Sequence, residues 1–124
     1  MRKKVNCILL IDDDEPTNFL HKIIIEDSNL AEKVVAVQSG YEALEYLEKK
    51  EDGKYPQPGI IFLDINMPAM NGWEFLERYK QLDESLKGKI LVVMLTTSIN
   101  PDDKKKAMGK GFVKGFLSKP LTTE

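Results

Sequence analysis

The sequence predicts an α/β protein on a doubly wound, five-stranded parallel sheet. Three observations lead there. Short runs rich in Val, Ile, Leu and Phe recur five times, and the first four carry no polar alternation, the pattern of strands buried on both faces. Segments with helical spacing or capping signals lie between them. Two of the apolar runs end directly in aspartate, which sets charge at the mouth of a hydrophobic core.

The first run, Cys7 to Ile11, is followed by Asp12, Asp13, Asp14 and Glu15. Adjacent carboxylates repel, and a buried strand suits them poorly unless a cation binds there. Asp14 and Glu15 are assigned to the start of a helix, with Pro16 in its first turn and Phe19, Leu20, Ile23 and Ile24 at helical spacing. His21, in that helix, has no acidic or cysteine partner at ligand spacing and is read as a surface or interface residue.

The second run, Val34 to Val37, leads into Ser39-Gly40-Tyr41-Glu42, which reads as a capping box ahead of Ala43, Leu44 and Leu47. Two prolines and two glycines mark 52–59 as a surface loop. The third run, Ile60 to Leu63, meets Asp64, fifty-one residues past Asp13. Asn71-Gly72-Trp73-Glu74 is a second capping box, before Phe75, Leu76, Tyr79 and Leu82. After the fourth run, Ile90 to Leu95, Asn100-Pro101-Asp102-Asp103 opens a short helix that Gly109 and Gly111 stop. Lys104, Lys105 and Lys106 read as its solvated face. The fifth and weakest run is Phe112 to Ser118.

At 124 residues the chain, 1–124, fits a single domain. A net charge of −2 gives no electrostatic case for direct nucleic-acid or anionic-membrane binding. One cysteine, Cys7, excludes an internal disulfide framework, and its place before a strand predicts a small packed side chain. The apolar stretch behind the N-terminus is too short for a signal peptide, and no segment reaches membrane-spanning length. A cytoplasmic location is the expectation.

Right-handed crossovers bring every strand's carboxyl end to one edge of such a sheet, where ligands bind. Strand one delivers Asp12 and Asp13, strand three Asp64, strand four Thr96, Thr97 and Ser98, and strand five Lys119 before Pro120; strand two delivers only Gln38 and Ser39. Carboxylates, a hydroxyl and an ammonium from four segments fit a divalent metal and a phosphoryl group. Mg²⁺ takes oxygen ligands, a carboxylate can attack phosphorus, and lysine and hydroxyl groups stabilise transferring oxygens.

With these residues the chain resembles the receiver domain of two-component response regulators, the CheY-like family. The resemblance rests on Leu10-Ile11-Asp12-Asp13, Phe62-Leu63-Asp64-Ile65-Asn66-Met67-Pro68, Asn71-Gly72, Met94-Leu95-Thr96-Thr97 and Ser118-Lys119-Pro120, and spans essentially the whole chain. It implies a flavodoxin-like sheet of order 2-1-3-4-5. It implies Asp64 as phosphoacceptor, with Mg²⁺ (or Mn²⁺) held by Asp13 and Asp64, by Asp12 largely through water, and by the main-chain carbonyl of Asn66. Thr96 and Lys119 would contact the phosphoryl group, and Phe116 would be an aromatic switch responding to Thr96. Asn66 and Ser98 hold positions that tune dephosphorylation.

The implied function is a signalling switch, not a metabolic enzyme, that catalyses its own phosphorylation and dephosphorylation. Its partners would be a histidine kinase or histidine phosphotransfer protein and an unknown downstream protein. Two alternatives are a phosphorylation-independent interaction module of the same fold and an aspartyl phosphohydrolase; Asn66 stands where the latter needs an acid. The chain stops at Glu124, where the family's fifth helix would begin, so that helix is expected to be missing or truncated and a homodimer covering the exposed sheet face is an expectation.

Overall fold

The protein is described by a computed structural model that covers residues 5–29, 31–50, 53–56, 58–65, 67, 70–82, 91–96, 101–109 and 113–118. Strands and helices alternate: β1 (Ile8–Ile11), α1 (Glu15–Ser28), β2 (Val34–Val37), α2 (Gly40–Glu48), β3 (Ile60–Asp64), α3 (Gly72–Lys80), β4 (Leu91–Thr96), α4 (Pro101–Met108) and β5 (Val113–Ser118). The five strands form one sheet of order β2-β1-β3-β4-β5, with every pairing parallel. The predicted fold class and strand order are those observed.

The continuous apolar runs are explained by the position of β1, flanked on both edges and covered on both faces. All four of its residues are buried. Leu9 and Ile11 point to one face, among Ala43 and Leu47 of α2 and Phe75, Leu76 and Tyr79 of α3. Ile8 and Leu10 point to the other, with Ile25 of α1 and Val34 of β2. Burying an aliphatic side chain of this size contributes about 1.5–3 kcal/mol, so the centre of the sheet is the main source of stability. Cys7 is buried as expected, its Sγ 3.6 Å from the Tyr46 hydroxyl.

The first three helices begin where the sequence places a cap, and the cap expected at Asn100 lies outside the described residues. Asp14 accepts hydrogen bonds from the Thr17 amide (3.1 Å) and from its hydroxyl. Ser39 accepts from the Glu42 amide at 3.1 Å. Asn71 and Glu74 make the reciprocal pair of a full capping box, at 2.9 and 3.0 Å. At the far end of α1, Asn29 takes the left-handed conformation (φ 61°) that lets the chain leave the helix.

The orientation of α1 differs from a simple reading of its apolar spacing. Phe19, Leu20 and Ile23 are 67%, 45% and 40% exposed, whereas Asn18, His21 and Ile25 are buried. His21 is therefore an interior residue, correcting its assignment to the surface. The physical reason is that the Asn18 amide binds the carboxyl ends of β1 and β2, which fixes the rotation of the helix. That rotation turns an apolar stripe outward. The lysine run in α4 also needs one refinement: Lys105 and Lys106 are exposed, but the Lys106 ammonium lies 4.5 Å from the centre of the Trp73 ring. The expectation of a missing or truncated fifth helix falls on residues 119–124, outside the described residues.

Candidate metal and phosphoryl site

Register decides which side chains meet. Ile11 of β1 is paired with Leu63 of β3, so the next residues, Asp12 and Asp64, emerge at the same level from adjacent strands. The first turn after β1 adds Asp13. One carboxylate oxygen from each of Asp12, Asp13 and Asp64 lies within 4.8 Å of the others. Asp12 and Asp64 are only 3% and 4% exposed, while Asp13 faces solvent.

Two carboxylates withdrawn from water beside a third are unfavourable neighbours, and a cation among them reverses the sign of that interaction. The size of the cluster suits a small divalent ion. Octahedral ligands at about 2.0–2.1 Å from Mg²⁺ stand about 2.9 Å apart when adjacent and about 4.2 Å apart across the metal, so the trio would draw together to seat one. The donor set is all oxygen, the chemistry Mg²⁺ and Mn²⁺ accept. Asp13 is the solvent-facing member of the trio.

The crowded acid run divides as its chemistry suggested. Asp12 accepts a hydrogen bond at Oδ1 from the Asp14 amide (3.0 Å), while the Asp14 carboxylate caps α1. The Asp12 amide donates to the Val37 carbonyl of β2 (3.2 Å). Asn18 Nδ2 donates both to the Asp12 carbonyl (2.8 Å) and to that same Val37 carbonyl (3.0 Å). The backbone of Asp12 is thus held at both ends. Sequence reasoning missed Asn18, because a polar residue amid apolar spacing looks like a solvent position.

Asp64 is held by close packing of α3. The Gly72 amide donates to the Ile65 carbonyl at 2.8 Å. A Cβ on Gly72 would stand 2.8 Å from the Asp64 carbonyl oxygen and 2.9 Å from Ile65 Cα. Only a residue without a side chain permits this approach, a role for Gly72 that its place in a capping box does not disclose. Ile65, Met67 and Met70 are buried.

Of the remaining expected site residues, Thr96 ends β4 one residue past Leu95, the partner of Asp64, and so lies at the same edge of the sheet. Phe116 lies in β5 at the level of Met94. Lys119, Asn66, Thr97 and Ser98 fall outside the described residues.

Residues 8–124 match the family described as the response regulator receiver domain. The chain belongs to that family. Receiver domains are the signalling switches of two-component systems, and the chain is similar to several. It is 33% identical over 117 residues to the probable methanogenesis regulatory protein FilR2 of Methanothrix harundinacea, covering 94% of this chain and 74% of that protein. It is 35% identical over 99 residues to the response regulator Rcp1 of Synechocystis, covering 77% of this chain but only 65% of that relative's length. Among solved structures, a two component response regulator from Cytophaga hutchinsonii superposes with a TM-score of 0.87 at 40% identity, covering 98% of this receiver domain and 90% of its counterpart. Among the described residues of the receiver domain, no helix is long and apolar enough to cross a membrane.

Proposed function

We propose that this receiver domain accepts a phosphoryl group on Asp64 from a phosphohistidine of a histidine kinase or phosphotransfer protein, with a divalent cation held by Asp12, Asp13 and Asp64. The observation that carries this reading is the convergence of these three carboxylates, two of them buried, at the carboxyl edge of the sheet. When bound, Mg²⁺ would neutralise the carboxylates and offset charge on the phosphoryl oxygens. An Asp64 oxygen forms the new bond to phosphorus as the P–N bond to the donor histidine breaks, and the departing imidazole nitrogen takes up a proton from solvent. The backbone carbonyl of Asn66 would add a ligand, and Thr96 and Lys119 would bind the phosphoryl oxygens from the ends of strands four and five.

Phosphorylation then biases a two-state equilibrium: Thr96 is drawn to the phosphoryl group, Phe116 follows, and the β4–β5 face changes its affinity for a downstream protein. Asn66 and Ser98 set how fast water removes the phosphate. The test is labelling with a phosphodonor in Mg²⁺. Wild-type protein should incorporate acid-stable but alkali-labile phosphate that Asp64→Ala loses. Undiminished labelling of Asp64→Ala would sink the assignment of the acceptor, and no labelling of the wild type with any donor would favour the interaction-module reading.

A further inference from the structure

We infer that Asn18 is a positioning residue for the metal site, acting through the backbone of Asp12; this rests on the proposed binding of a divalent cation by Asp12, Asp13 and Asp64. Asn18 lies on the inner face of α1, 5% exposed, and its side-chain nitrogen binds main-chain oxygens rather than a carboxylate. Its two contacts are main-chain carbonyls, those of Asp12 and Val37. Both are acceptors, so the amide nitrogen must face them, and its two protons are both used.

Three hydrogen bonds then close a triangle between β1, β2 and α1. The Asp12 amide donates to Val37, Asn18 donates to Val37, and Asn18 donates to the Asp12 carbonyl. A fourth bond, from the Asp14 amide, fixes Oδ1 of the Asp12 side chain. The peptide units on both sides of the Asp12 Cα are therefore anchored before any ion arrives. Pre-ordering of a ligand removes an entropy loss that metal binding would otherwise incur.

The other half of the Asn18 side chain shows that packing is not its purpose. Oδ1 is buried and, among the described residues, has no hydrogen-bond partner. An orphaned buried acceptor is destabilising, and an apolar side chain of equal volume would avoid it. What leucine cannot supply is the pair of donors. Asparagine fits here because one nitrogen reaches two strand ends at once. The same bonds set the rotation of α1 that leaves Phe19, Leu20 and Ile23 exposed.

The experiment compares Mg²⁺ affinity, by isothermal titration calorimetry without phosphodonor, in wild type, Asp13→Asn, Asn18→Leu and Ile25→Ala. Ile25 packs on the same helix and the same sheet face but makes no contribution to the triangle. Partners that orient metal ligands commonly contribute about 10–100-fold in affinity, and Asn18 acts one step further back, so Asn18→Leu should weaken Mg²⁺ binding about tenfold. Ile25→Ala, matched for loss of folding stability in urea, should leave it within about twofold. Equal affinity of wild type and Asn18→Leu, or equal weakening in Ile25→Ala, overturns the inference. Failure of the wild type to bind Mg²⁺, or undiminished binding by Asp13→Asn, instead overturns the reading of the metal site itself. Should Asn18→Leu not fold, the wild-type NMR spectrum decides. Both Asn18 side-chain amide protons should exchange slowly with solvent and shift on Mg²⁺ saturation; fast exchange with no shift refutes the role.

Discussion

Gly72→Ala places a methyl group where the Asp64 carbonyl oxygen lies 2.8 Å away, Ile65 Cα 2.9 Å and Met94 Cε 3.3 Å. The first two are backbone atoms at the end of β3, not mobile side-chain tips. Carbon atoms prefer separations of about 3.5 Å or more, so the contact with Ile65 alone is short by about 0.6 Å. The helix cannot simply withdraw by that amount, because the Gly72 amide is bonded to the Ile65 carbonyl at 2.8 Å. Overpacking of this kind costs about 1–3 kcal/mol. Alanine returns at most about 1 kcal/mol through helix propensity, and less in a first turn.

A net loss of about 1–2 kcal/mol follows, which at a typical urea slope near 2 kcal/mol/M lowers the unfolding midpoint by about 0.5–1 M. The more diagnostic effect is on the site. Part of the strain is relieved by moving Asp64, and Mg²⁺ tolerates little departure from its preferred geometry. Mg²⁺ affinity should fall about tenfold, in the range of other ligand-orienting changes. Gly53→Ala is the control. Gly53 has φ 78° and nothing within 4 Å of an added Cβ, so alanine there meets backbone strain of about 1–2 kcal/mol and leaves Mg²⁺ binding unchanged. An unaltered midpoint together with unaltered Mg²⁺ affinity in Gly72→Ala would refute the claim that α3 packing positions Asp64.

Four further outcomes are expected. Phe19→Ser, Leu20→Ser and Ile23→Ser should each change folding stability by no more than about 0.5 kcal/mol, whereas Ile25→Ala should cost about 2–5 kcal/mol; urea titration distinguishes the observed rotation of α1 from one that buries its apolar stripe. Asp13→Asn should stabilise the metal-free protein by about 1 kcal/mol, the repulsion of unit charges near 4.8 Å in a water-like medium. The same variant should lose the rise in thermal midpoint that Mg²⁺ gives the wild type, where a concentration of 100 Kd contributes about 2.7 kcal/mol. Asp14→Ala should cost about 1 kcal/mol as a lost helix cap with no change in Mg²⁺ affinity by calorimetry. Lys106→Met should remove a cation–π contact of about 0.5–1 kcal/mol and shift the emission of Trp73, the single tryptophan.

The sheet was legible in the sequence because its central strands are buried on both faces. Ile8–Ile11 has no solvent side, so no polar residue interrupts it. The acids at the strand ends were legible for the opposite reason: charge directly after such a run has few structural explanations. The division of Asp12 and Asp13 from Asp14 and Glu15 followed from helix capping and is observed as such. The phase of α1 was not legible. Periodicity counts apolar residues and cannot distinguish a polar side chain turned to water from one whose protons are taken up by two strand ends. Asn18 is of the second kind, His21 is buried beside the same sheet, and the two stand in the interior where Phe19 and Leu20 do not. The need for glycine at 72 was equally hidden, since the atoms that exclude a Cβ belong to Asp64 and Ile65.

These two illegible residues explain how the site can be rigid where it must be and open where it must be. Asn18 fixes Asp12 through its carbonyl, and Gly72 admits α3 close enough to fix the end of β3 through the Ile65 carbonyl. Neither constraint touches a carboxylate oxygen, so neither occupies a position that a metal would take. Asp13 alone among the three is exposed and lies in the turn between β1 and α1. It is the acid that can close on an ion while the other two stand still. Removing Asp13 should therefore affect affinity without lowering stability. Removing either support should weaken affinity with every carboxylate still present, and that pattern separates a site built from backbone geometry from one built from charge alone.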